Sequence, residues 1–153
     1  MQTGMLHLHN IMRWVVLIFM VLTLVKSFNN SQSFTAGHKR SALFLMISMD
    51  IQLLLGLYLY FVSAWGIKNI EAQGMGAVMK DTVGRFWAVE HITGMLISVI
   101  LIHLGYAATK KDIADNAKLK KLFWFTLIAF IIIMVTIPWS FRAGVGRPLF
   151  PGM

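Results

Sequence analysis

His9, in the first apolar run, and His91, in the third, fall at nearly the same membrane depth on the same side of a small helical bundle. At about 1.5 Å rise per residue, each lies roughly one turn inside the boundary of its helix. Antiparallel neighbours can then present both rings to one iron. Two neutral imidazoles saturate a haem iron, and saturated iron favours electron transfer over oxygen chemistry. Such rings also need their outward nitrogens bonded so that their orientation is fixed. Asn10 and Thr93 are the nearest groups expected to do this.

Ionisable side chains at membrane depth are costly and usually face a bundle interior. Five are expected here: His9, Arg13, Asp50, Glu90 and His91. Arg13 follows His9 by four residues and shares its face. An Arg13–Glu90 ion pair is expected; alternatively Arg13, or Arg142 and Arg147 in the tail, neutralises haem propionates. Gly56 lies at a similar depth, and Gly94 follows His91 by three residues. Missing side chains there would let a flat macrocycle approach the backbone, or would simply tighten helix packing. Asp50 reads as a solitary mid-helix carboxylate: a proton-relay station with Glu90, a partner for a cofactor or cation, or a neutral acid bonded to a neighbouring helix. His103 has no evident partner, His38 falls in a loop, and His7 and His9 point to nearly opposite faces.

The elements that position these residues follow from composition. Of 153 residues, 58% are hydrophobic and 13% charged, and the mean hydropathy is +0.70. A spanning helix needs about 20 mostly apolar residues. Four such runs are predicted, at 5–25, 42–62, 86–107 and 122–139, giving one all-α, four-helix up-and-down transmembrane domain over 1–153 with a tail at 140–153. The first run lacks a cleavage site and reads as a permanent helix. With no cysteine, disulfides, iron–sulfur clusters, thiolate zinc and covalent haem attachment are excluded. A metal would have to bind through His, Met or carboxylate.

The formal charge of +8 sits beside apolar runs and reads as topology and lipid-headgroup contact, not as a nucleic-acid surface. Lys26, Lys39 and Arg40 bound the first loop; Lys110, Lys111, Lys118, Lys120 and Lys121 crowd the third. The expected location is a bacterial inner membrane, with these loops cytoplasmic and both termini periplasmic. Trp14, Trp65, Trp87 and Trp139 mark the outer boundary and Trp124 the inner one. Residues 29–37 form a polar connector, and residues 108–121 a charged turn or short helix. Ile70, Met75, Val78, Met79 and Val83 within 63–84 read as a short surface helix. Pro148 and Pro151 lie in a tail that cannot continue the fourth helix and is expected to fold back as a lid.

The segments His9-Asn10-Ile11-Met12-Arg13-Trp14, Gln52-Leu53-Leu54-Leu55-Gly56-Leu57, Arg85-Phe86-Trp87-Ala88-Val89-Glu90-His91 and Arg147-Pro148-Leu149-Phe150-Pro151 resemble small four-helix membrane proteins of Bacteroidota labelled cytochrome b. These are more loosely similar to cytochrome b561 and copper-resistance CopD proteins. The resemblance covers most of the chain and implies a b-type haem with His9 and His91 as ligands. An inner histidine pair is missing, so a second haem is not expected.

Three functions are open at this level. The first is a single-haem electron-transfer protein, served by a quinone, a redox protein or a larger membrane complex. The second is copper handling, because Met5, His7, His9 and Met12 crowd the start of the first helix and soft thioethers with imidazole suit copper. The third is a haem-free accessory or assembly subunit of a membrane complex.

Overall fold

In the computed structural model, which describes residues 1–29 and 33–151, four long helices are apolar enough to cross a membrane. The middle of the first connector, residues 30–32, and the last two positions of the tail lie outside the described residues. Among the described residues there is no strand, and the chain is an all-α, multi-pass membrane protein.

Helix α1 runs Gln2–Phe28 and α2 runs Ala36–Val62, each longer than the apolar run alone predicts. Both carry polar residues near their starts, Gln2 and Thr3 in α1 and His38, Lys39 and Arg40 in α2. His38 lies in the first turn of α2, not in a loop: its Nδ1 accepts from Thr35 N at 2.9 Å, and its Nε2 lies 3.1 Å from the Lys26 carbonyl. The capping box so formed ties the start of α2 to the end of α1. The segment expected as one surface helix is broken by Gly74, at φ +80, into α3 (Ile67–Gln73) and α4 (Met75–Lys80). Asp81 then caps α5 (Thr82–Arg85) by accepting from Val83 N and Gly84 N. A π-helical turn, Phe86–Glu90, joins α5 to α6 (His91–Ala108) without a break. The last spanning helix, α7, is Asp115–Thr136; it starts inside the charged segment and stops three residues before its predicted end. Pro138 supplies no N–H, and the residue before a proline avoids helical ψ. Ile137 accordingly turns out at ψ 134.

The four helices form a closed ring in which α1 meets α2 and α7, and α6 meets α2 and α7. The core carries Met20, Leu45, Met49, Ile102, Ala129 and Ile133. Between 28% and 33% of each apolar stretch is buried inside the bundle, so lipid has to cover the remainder. Buried Ser27, Ser48 and Ser98 return their hydroxyls to carbonyls three or four residues back, which satisfies them without water. One end of the bundle carries the start of α1, the end of α2 and the tail; the other carries the lysine-rich connectors. These are the termini end and the lysine end below.

Candidate functional site

At the termini end all four helices line a cavity of about 630 Å³, whose walls include His9, Gln52, Gly56, His91 and Met95. This lies within the usual size of a small-molecule site.

His91 is placed by three local features. The π turn before it is wider than an α turn and sets the rotation of α6. Glu90 consequently points outward and His91 inward. Gly94, one turn on, lets α6 approach α7 closely: a Cβ there would lie 2.6 Å from Thr136 Cγ2. Finally, Pro138 ends α7 and leaves terminal carbonyls without helical partners. The Thr136 carbonyl takes the His91 Nδ1 proton at 2.9 Å. Because that oxygen can only accept, Nδ1 carries hydrogen and Nε2 keeps its lone pair, the form a metal ligand requires.

His9 packs on Gly56, where an added Cβ would meet its Cε1 at 3.2 Å. Gln52 donates its amide to the His9 carbonyl at 3.0 Å and lies 3.4 Å from His9 Nε2. The second contact is long and easily exchanged. His9 Nδ1 is buried with no partner among the described residues. The His9 and His91 rings stand 6.5 Å apart between centroids, at 72°. Two imidazoles on opposite sides of one metal, each about 2 Å from it, have centroids about 6 Å apart. The spacing therefore suits a shared metal.

The lining is mostly apolar but holds unpaired polar atoms. Among the described residues, the buried side-chain atoms without a partner are His9 Nδ1, Asn10 Oδ1, Arg13 Nε, Gln52 Oε1 and Trp87 Nε1, all on residues that line the cavity, together with Thr23 Oγ1 and Thr126 Oγ1, which do not. Buried polar groups are rarely left unpaired, so this concentration marks a place for a polar ligand. Among the described residues the lining contains Arg13 and Arg147 but no carboxylate, which favours a neutral or anionic occupant.

The tail closes the termini end, as the sequence predicts. Pro148 carbonyl accepts from Asn10, and Leu149 carbonyl accepts from Arg13 at 2.7 Å and from Trp14 at 2.9 Å. Phe150 stacks on Trp14 with centroids 5.4 Å apart. Gly144, at φ +75, permits the reversal that brings this strap back over α1. Arg147 lies over Trp87 at 4.9 Å and Trp65 at 5.9 Å.

Several expectations are corrected. Arg13 does not pair with Glu90: Arg13 is buried against the strap, and Glu90 bonds Arg85 at 2.7 Å on an exposed face. Glu90 therefore does not line the cavity. Gly94 does not face the cavity; it is buried against α7. Asn10 is taken by the strap and Thr93 is exposed, so the groups nearest the two rings are Gln52 and the Thr136 carbonyl. Arg142 donates to the Val135 and Ile137 carbonyls and covers Phe86 instead of reaching the cavity. Asp50 is not solitary, because His103 Nε2 is 3.4 Å from its Oδ1. His7 lines the cavity beside His9, whereas Met5 and Met12 do not. Among the described residues no group of three or more His, Cys, Asp or Glu side chains could hold a metal ion.

Gln52 and the Thr136 carbonyl are the residues that sequence reasoning missed. Pro138, two positions after Thr136, was the available signal for the second; nothing local marks the first. Comparison with known proteins finds no match among family models, curated proteins or solved structures.

Proposed function

We propose that this cavity holds one b-type haem between His9 and His91, and that the protein carries electrons within a bacterial inner membrane. What supports the reading is the pair of imidazoles at 6.5 Å across a cavity rich in unpaired polar atoms. His9 and His91 are the residues that would hold the haem, which would supply one-electron chemistry when bound. The chain's own part is to hold and cover. The Thr136 carbonyl fixes the His91 tautomer, Gly56 leaves room for the His9 ring, and Arg147 and Arg13 supply positive charge for an anionic group. The Pro148–Phe150 strap packs on α1 over the termini end. The lysine-rich connectors are assigned to the cytoplasm and both termini to the periplasm.

The test is the absorption spectrum of protein purified from haem-replete cells, oxidised and then reduced with dithionite. Reducible Soret and alpha bands that disappear in His91→Ala are expected. A folded, colourless preparation contradicts the proposal. If that preparation carries stoichiometric copper, or copurifies with other subunits, the copper-handling or accessory role takes its place.

A further inference from the structure

A second polar site lies outside the cavity, twelve residues further along α6 from His91, about 18 Å toward the lysine end. There Asp50 of α2 and His103 of α6 meet at 3.4 Å, with their side chains 42% and 43% exposed. His103 Nδ1 lies 2.9 Å from the Val99 carbonyl. That oxygen only accepts, so Nδ1 carries a proton, and a neutral imidazole turns a bare Nε2 toward a carboxyl oxygen. Two lone pairs would repel there. The pair thus sets an imidazole nitrogen beside a carboxyl oxygen, with room for a donor to bridge them.

The surface around it is apolar. Ile47, three residues before Asp50, and Leu54, four after it, are exposed, as is Ile100, three before His103. These spacings put them on the faces that carry the pair. A half-exposed polar pair is thus set in a lipid-facing wall. At 3.4 Å it is wider than a closed N–H···O hydrogen bond of about 2.9 Å, leaving donor and acceptor capacity for an added oxygen.

We propose that Asp50 and His103 form a lateral binding site for the oxygen-bearing ring of a quinone-class molecule dissolved in the bilayer. The match is chemical. A quinol hydroxyl donates to the carboxyl oxygen or to the imidazole nitrogen, and a quinone carbonyl accepts from whichever of the two side chains carries a proton. Hydrocarbon tails carry no such oxygen at this depth, and phospholipid headgroups stay at the interface. The site stands whether or not the cavity binds haem, because neither residue lines that cavity.

The experiment uses full-length protein in nanodiscs with ¹⁵N-labelled histidine. It is titrated with a short-chain prenylated naphthoquinone, and separately with the same prenylated naphthalene lacking ring oxygens. The naphthoquinone is expected to shift the His103 Nε2 resonance and the Asp50 carboxyl infrared band, and the oxygen-free compound to shift neither. Asp50→Leu and His103→Leu should each weaken binding about tenfold, one hydrogen bond to a charged group's worth, with any haem spectrum unchanged. The wild-type shifts need no variant, so a misfolded substitution does not spoil the test. Equal responses to both compounds overturn the proposal. So does naphthoquinone affinity unchanged in both folded variants, or a dimer in nanodiscs that buries the pair and disappears with Asp50→Leu.

Discussion

The approach of α6 to α7 holds His91 in its tautomer, and Gly94→Ala tests that approach with a magnitude the geometry sets. The new Cβ would lie 2.6 Å from Thr136 Cγ2, 3.2 Å from its Oγ1 and 3.3 Å from its Cβ. Ordinary carbon contacts lie near 3.5–4.0 Å, so about 1 Å of overlap must be relieved. Thr136 cannot rotate away cheaply, because its hydroxyl donates to the Ile132 carbonyl at 2.7 Å. The helices must separate, at a strain of about 2–3 kcal/mol. Replacing glycine by alanine inside a helix returns about 1 kcal/mol. The net expectation is a loss of about 1–2 kcal/mol. In Gly94→Ala with Thr136→Ala only the Cβ contact at 3.3 Å remains. The double variant should therefore recover about 1–2 kcal/mol of what the single variant loses. Reversible unfolding in mixed detergent micelles reads both values. The reasoning is refuted if Gly94→Ala is as stable as wild type, or if Thr136→Ala gives no rescue.

Trp14→Phe removes one of the two donors to the Leu149 carbonyl and keeps the stack on Phe150; a loss of about 1 kcal/mol in strap docking is expected. Hydrogen exchange at residues 146–151 should quicken several-fold, and unchanged exchange would show that the strap is held otherwise. Arg13→Met removes the charged donor to the same carbonyl at 2.7 Å, and should loosen the strap more than Trp14→Phe in the same assay. Glu90→Gln breaks a half-exposed pair with Arg85, and thermal unfolding should change by no more than about 1 kcal/mol. A large loss there would return Glu90 to the interior.

The helical class, the four spans and the returning tail were legible because each follows from a local property: an apolar run of bilayer length, a lysine-rich connector, a proline that ends a helix. The inward placement of His9 and His91 was legible for the same reason, since residue number fixes depth along a straight helix. Partner choice was not. Glu90 and Arg13 lie at matching depth, but the π turn rotates Glu90 outward to Arg85, and no simple periodicity announces a π turn. Gly94 belongs to the helix contact because Thr136 happens to face it. Gln52 reaches His9 across forty-three positions, a relation set only when α1 and α2 pack. Asp50 and His103 likewise meet only through the α2–α6 seam.

The most direct measurement is electron paramagnetic resonance of the ferric protein, repeated on His91→Gly with and without added imidazole. Ligation by His9 and His91 requires a low-spin signal in wild type, a high-spin signal in His91→Gly, and return of the low-spin signal when imidazole fills the space left by the ring. A wild-type protein without haem, or a low-spin signal that His91→Gly leaves untouched, would contradict it.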